Sequence, residues 1–542
     1  MLLAVGLAVG LALLLWARRR CPRGAGSWGL VLRHWLARRW LARAAGWQRR
    51  RLEQACKDGP RSQELLLLEG AGTPAPDAAT FRERHPLTRH SADGTEPPPS
   101  PRPPLGLWAL LRSCCAASSP LQGSVLYLDV LARAYPEALS PRGTARFSWA
   151  RGCSLPAAAW PLPSLYCAPE AVGAAPSRAA ALYVQLLLAL QERALRVLEA
   201  GLLSELYDAL ATLRASWEGL AQDLASGGLS PHLELPQGLR HQLEGLLAPD
   251  AARAAELRAE CARGWDVIAR RLWPRLQVVV VAEPGSEQLY WEALQESACQ
   301  GLPLYSPFYS AAGVLLGLNL WPEQPEPHYL LCPGWAFCEF LPVEPPGAEG
   351  PPDTVPLADV REGQEYELVL TAQAGLSRCR VGEVLTVAGF HYRCPLVGPV
   401  RRLSQTLSVR GEGVPEDRFY RSLRRAVAMW PGARLVDYVC AESSLMGASS
   451  GACAPHYQVF VELQGVRDLS EAQRYKLDQC LQEDFPVYKS FRLKGSIGPL
   501  RLHLVAAGAF RELRDAVGTR GPMARVLRDH RPLHFIQSRV LS

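Results

Sequence analysis

None of the fifteen cysteines in this 542-residue chain is spaced C-x-x-C, and Cys114 and Cys115 are adjacent. An odd count without ligand spacing is neither a disulfide framework nor a zinc site. The thiols read as buried or free groups, which suits a cytosol-facing body. The eleven histidines show no metal spacing. Neither H-E-x-x-H nor the phosphate loop G-x-x-x-x-G-K-[ST] occurs. Acid is missing from residues 1–51, which hold 11 arginines. Taking those 11 from the 59 basic residues leaves 48 against 52 acidic ones, so the net charge of +7 is local. A local basic block points to a membrane surface as partner, and away from nucleic acid.

What is present is a packed chain. Hydrophobic residues make up 48% and charged residues 20%, which excludes global disorder. The length implies two folded units. Met1–Ala17 is an unbroken apolar run, followed at once by Arg18–Arg20. Seventeen residues is the lower limit for a bilayer span. The positive-inside rule keeps the arginines in the cytosol. The expectation is an uncleaved anchor in the endoplasmic reticulum or nuclear envelope membrane, with a cytosolic body. A cleaved signal peptide with a lumenal or secreted body is the alternative. Over residues 28–51, Trp28, Leu32, Trp35, Leu36 and Trp47 recur near helical spacing among arginines. Two readings stay open: a helix lying in the membrane interface, or a first helix packed on the body.

Along the body, the spacing predicts long helical structure over 178–225 and a doubly buried strand over 275–283. It predicts a half-buried strand over 364–372. Helices mixed with buried strands indicate a large α/β domain. After about residue 400, alternating helices and strands suit a small α/β sandwich. The expected organisation is an anchor or signal segment (1–17), a basic amphipathic helix (18–51), a large N-terminal domain (52–400), a hinge (401–417) and a small C-terminal domain (418–542). "GASSG" (447–451) matches the nucleophile elbow G-x-S-x-G, but the residues after it read as loop then strand, so it is a glycine–serine loop.

Four stretches carry more. They are "FRERHPLTRHSADGT" (81–95), "LYVQLLLAL" (182–190), the segment from "WDVIARRLWPRLQVVVVAEPG" through "FYSAAGVLLGLNLWP" to "YLLCPGWAFCEFLPVE", and "GQEYELVLTAQAGLSRCRVGEVLTVAGFH" (363–391). Together and in this order they resemble the Gretchen Hagen Three acyl-acid amido synthetases. The resemblance implies an α/β fold like that of adenylate-forming enzymes, with a large N-terminal domain and a small C-terminal domain. It implies activation of a small-molecule carboxylic acid with ATP and magnesium, then transfer of the acyl group to an amino acid.

The sequence departs from that family at its nucleotide motifs. Where the family has a serine–serine–glycine–threonine–serine run, Ala92, Asp93, Gly94, Thr95 and Glu96 stand here. The family's tyrosine–small–serine–serine–glutamate turn reads Tyr309, Ser310, Ala311, Ala312 and Gly313. The arginine motif keeps Arg378, Arg380 and Gly382, and Glu383 replaces an aspartate. The segment expected to carry a catalytic lysine has Pro522 or Met523, and no lysine follows Lys494. Arg520 or Arg525 could supply charge, on a stem that is not equivalent. The nucleotide-binding candidates are Gly94, Thr95, Tyr309, Ser310, Arg380 and Glu383; no catalytic or metal-ligating residue is assigned. Two functions remain: a catalytically degenerate, membrane-anchored binding or regulatory module, or an active ATP-dependent acid–amino acid ligase.

Overall fold

A computed structural model describes residues 28–541, except 71–77, 90–118, 150–161, 284–286, 344–352, 373–375, 447–453 and 518–521. The apolar run 1–17 and the candidates Gly94 and Thr95 lie outside the described residues. The helices used below are α1 (Trp28–Lys57), α2 (Ala78–Arg84), α3 (Ser119–Ala134), α4 (Arg178–Gln191), α5 (Leu203–Ser226), α6 (Ala251–Ala262), α7 (Gln288–Glu296), α8 (Glu416–Ala428), α9 (Glu471–Asp484) and α10 (Ala509–Val517).

A two-residue strand, β1 (Thr88–Arg89), precedes a four-stranded parallel sheet of β2 (Thr144–Phe147), β3 (Val197–Leu202), β4 (Val278–Glu283) and β5 (Leu304–Tyr305). Four consecutive valines explain this layer. Successive strand residues point to opposite faces. Val279 and Val281 join a core with Leu198, Ala200 and residues of α4, α5 and α6. Val278 and Val280 join a second core with Val197, Tyr305 and residues of α1 and α3. A strand covered on both faces has no polar side, so it reads as an apolar run.

The same property hides β3. The helical reading of 178–225 is corrected here: α4 ends at Gln191, all six residues of β3 are buried, and α5 starts at Leu203. A doubly buried strand between two apolar helices leaves no periodicity to mark it.

A second, largely antiparallel sheet follows. Its order is β10 (Val355–Pro356), β9 (Phe337–Pro342), β11 (Glu365–Ala372), β12 (Leu376–His391), β13 (Cys394–Arg402), β8 (Tyr329–Leu331), β7 (Val314–Leu318) and β6 (Phe308–Ala311), with β1 parallel to β12. The stretch expected as a hinge holds a short hairpin of β14 (Thr406–Leu407) and β15 (Val414–Pro415). Glu412 accepts from the Val409 and Arg410 N–H groups and from the Tyr457 hydroxyl, which fixes that loop.

The C-terminal sheet runs β18 (Arg501–Leu504), β17 (Tyr457–Gln464), β16 (Arg434–Glu442) and β19 (Val526–Leu527). Helices α8 and α9 pack in its core. The fold is therefore mixed α/β with a large N-terminal part and a C-terminal sheet domain. "GASSG" lies outside the described residues; the next described element after it is the strand β17, antiparallel to β16. Ten cysteines among the described residues are free and buried. Burial pushes the Cys167, Cys299 and Cys338 thiols up to about 12.

The C-terminal sheet is tied to the N-terminal part by Glu292 of α7, which accepts from Tyr420 at 2.6 Å and Arg424 at 2.9 Å. Arg514 of α10 completes the tie. It donates to Asp208 of α5 at 3.0 Å and to Asp437 of β16 at 2.8 Å. Breaking a buried pair from one side costs about 3–5 kcal/mol. Arg514→Met is expected to lower the urea midpoint accordingly and to speed tryptic cleavage within 403–415. Unchanged cleavage would show that the tie does not hold the two parts together.

Candidate functional site

Two regions bring polar groups together at the sequence candidates and at the end of the parallel sheet. The first is built on the antiparallel sheet. Strands β6 and β7 pair Ala311 with Val314, leaving a two-residue turn of Ala312 and Gly313. Both have positive φ, 49° and 75°. That is the turn whose twist matches a hairpin. Tyr309 lies opposite Gly317, where an added Cβ would come within 3.2 Å of Tyr329 Cβ. The Tyr309 ring is thereby seated against Tyr329, with centroids 5.9 Å apart.

The Tyr309 hydroxyl donates to Glu383 Oε2 at 2.8 Å, and Arg402 Nε donates to Glu383 Oε1 at 3.1 Å. Burial, then the Glu383 charge, pushes the Tyr309 phenol well up, so it remains a donor. Glu383 is aimed there by an irregularity in β12. The β11–β12 register shifts between Val369↔Arg380 and Glu367↔Val384, and Gly382 sits in the shifted segment at φ 73°. Arg380 turns elsewhere, donating from Nε to both oxygens of Glu367 at 3.1 and 3.2 Å. Arg378 is buried, donating to Glu339 at 2.9 Å and Thr354 at 2.9 Å. It also reaches the Arg82 and His85 carbonyls, which fastens the end of α2 to the sheet.

Of the sequence candidates, Tyr309 and Glu383 are in direct contact. Ser310 is half-buried beside them in β6, and Arg380 is bound to a different carboxylate. Strand β1 pairs Arg89 with Arg380, so the chain enters the 90–96 segment beside that arginine. The residues present do not fit magnesium at the turn. Gly313 offers no carboxylate, and both oxygens of Glu383 are engaged. Among the described residues no group of three or more His, Cys, Asp or Glu side chains is placed to hold a metal ion.

The second region lies at the carboxyl ends of β3 and β4, the usual ligand crevice of an open parallel sheet. Glu205, in the first turn of α5, accepts from the Gly201, Leu202 and Trp149 N–H groups at 3.0, 3.2 and 3.3 Å. Glu287 accepts from Ser204 N–H at 3.0 Å and Oγ–H at 2.7 Å. Burial pushes both carboxyls up, Glu205 to about 7 against the opposing pull of Arg178.

The C-terminal sheet domain covers this crevice. Arg525 Nη1 bonds Asp437 and the Tyr438 carbonyl. Its guanidinium carbon lies 5.3 and 5.1 Å from the Tyr290 and Tyr438 ring centroids. Arg514 Nη1 and the Tyr290 hydroxyl also meet Asp437, and Arg178 pairs with Asp208 at 2.6 Å. Arg525 is thus committed to a structural carboxylate. Met523 is buried in an apolar cluster with Val439, Phe460 and Leu527. Arg520 lies outside the described residues. Asp208, Asp437 and Arg514 were invisible to motif reading, because each is an ordinary charged residue of a strand or helix whose partners lie far away in the chain. The nearest signal was a charged residue in an otherwise apolar strand, "ARLVDYVCA".

Comparison with known proteins decides the family. Residues 143–304, 329–402 and 417–525 match the GH3 family N-terminal, central and C-terminal domains. The chain is 43% identical to a human GH3 domain-containing protein, over 95% of this chain and 94% of that one. The chain belongs to the GH3 family. A mouse GH3 domain-containing protein is 40% identical over 98% of each chain. A rice (Oryza sativa subsp. indica) indole-3-acetic acid-amido synthetase, GH3.8, is 36% identical over 59% of this chain and 53% of its own length. Among solved structures, the GH3.15 acyl acid amido synthetase superposes with a TM-score of 0.68 at 26% identity, covering 77% of this chain and 78% of that one. The fold is therefore shared with an amido synthetase.

Two predictions follow from the geometry. A non-glycine residue with left-handed backbone costs about 1–2 kcal/mol, whereas glycine's extra chain entropy costs about 0.5–1. Ala312→Gly is expected to raise stability by a few tenths to about 1 kcal/mol, and Gly313→Val to lower it by more than about 1, by urea denaturation. Glu205 has a folded-state pKa of about 7, above its ordinary 4.5. Its neutral form is the favoured one in the fold. Its contribution is complete below pH 4.5 and is lost as pH rises to about 7. Glu205→Gln is expected to flatten the fall in urea midpoint across that window, and an unchanged slope would contradict the assignment.

Proposed function

We propose that this GH3 family member is a non-catalytic binding or regulatory module, anchored to a membrane by its N-terminal segment, with the body in the cytosol. The observation that carries this reading is the Ala312–Gly313 hairpin turn. It supplies the backbone of a nucleotide-binding turn without hydroxyls or a carboxylate. A charge-assisted hydrogen bond contributes about 1.5–3 kcal/mol. Losing several, together with the cation expected near Met523, removes many decades of rate at about 1.4 kcal/mol per tenfold. Glu383 and Arg380 do not compensate, because each is spent on a neighbour within the sheet.

The anchor rests on Met1–Ala17 and the three arginines after it. No helix among the described residues is long and apolar enough to cross a membrane. Residual binding of a small-molecule carboxylic acid is compatible with this reading, since the polar crevice at the ends of β3 and β4 is retained. The second reading is an active ATP-dependent acid–amino acid ligase. It is favoured by the kept Arg378, Arg380 and Gly382 and by relatives named as amido synthetases.

Calorimetry of the full chain with ATP and magnesium separates the two. The expected outcome is no binding up to about 1 mM, weaker than about −4 kcal/mol, and no pyrophosphate release with a mixture of carboxylic acids. Micromolar binding with pyrophosphate release would establish the ligase instead.

A further inference from the structure

From His34 onward, helix α1 buries one face. His34, Leu41, Ala45, Gln48 and Cys56 are buried, and His34 Nε2 reaches the Leu139 carbonyl at 2.7 Å. On the opposite side Leu36, Trp40 and Trp47 are 45%, 42% and 45% exposed. At about 100° per residue these three lie within about 40° of one another around the helix. Three large apolar side chains exposed on one side of a helix, with arginines interleaved, offer an interaction surface.

The charge around the stripe identifies what it meets. Arg39, Arg43, Arg50 and Arg51 are exposed along it, and no acid precedes Glu53. Arg43 and Arg51 lie over the Trp40 and Trp47 rings at 6.0 and 5.4 Å. Tryptophan sits at the boundary between lipid headgroup and acyl chain, and arginine beside it complements phosphate. Chain length adds a second argument. Residues 18–27 alone join Ala17 to α1. At most about 3.3–3.6 Å per residue, that link keeps α1 within about 36 Å of the end of the apolar run.

We propose that the outward face of α1, centred on Trp40 and Trp47, docks on an anionic bilayer surface and holds the body against it. This deepens the membrane part of the reading above, but it concerns a different segment and succeeds or fails separately. The full chain is reconstituted in vesicles of acyl-brominated phosphatidylcholine, with and without phosphatidylserine. Bromine quenching of tryptophan fluorescence reads depth. The double variant Trp40→Phe/Trp47→Phe keeps an apolar face but is expected to lose most of the phosphatidylserine-dependent quenching. Arg39→Glu/Arg43→Glu/Arg50→Glu is expected to lose it as well. Equal quenching in wild type and the tryptophan variant would overturn the proposal, as would burial of the stripe by a second copy or by residues 1–27. Resistance to alkaline carbonate extraction reads the apolar anchor alone, so its loss would refute the anchor and leave the quenching result to decide α1.

Discussion

The carboxylate of Asp437 holds the molecule's two parts in one arrangement. It sits in β16, 1% exposed, and receives Arg514, Arg525 and the Tyr290 hydroxyl. A carboxylate cannot be buried without such partners, since its desolvation exceeds what one hydrogen bond returns. The partners come from three places: α7 of the N-terminal part, α10, and the stretch entering β19. Asp208 of α5 repeats the device, shared by Arg178 and Arg514. The position of the C-terminal sheet over the crevice follows from satisfying these two carboxylates.

That arrangement bears on function. In an enzyme that turns one domain over another, charges at the interface must exchange partners. Here Arg525 is placed between two tyrosine rings and bound to Asp437, and Met523 is packed in an apolar cluster. The site on the antiparallel sheet shows internal pairing of the same kind on a smaller scale. Tyr309, Glu383 and Arg402 complete one another inside the sheet. In both places the polar groups are paired with one another within the scaffold.

Much of the fold was legible because its elements carry local signals. Val278–Val281 announce a doubly buried strand, and the acids at Glu416 and Asp417 mark the start of α8. β3 was not legible, since its six residues, VLEAGL, are buried throughout and show no alternation that would separate them from the apolar helices on either side. The hairpin at 406–415, within the stretch 401–417 expected as a hinge, was not legible because its order comes from Glu412 and Tyr457, 45 residues apart. In the candidate site, Tyr309 and Glu383 could be named from the family pattern, but not their contact, which spans 74 residues. Asp208 and Asp437 were unreadable for the same reason. A lone aspartate acquires meaning only from the arginines that tertiary structure brings to it.

The buried thiols have a consequence of their own. Thiolate, not thiol, reacts with oxidants and alkylating agents. Cys167, Cys299 and Cys338 are held protonated far above neutral pH, and all ten described cysteines are shut away from solvent. Their chemistry is therefore governed by how often the fold opens and not by the redox poise outside. For these ten thiols packing is the shield against oxidation, and it lasts only as long as that packing does.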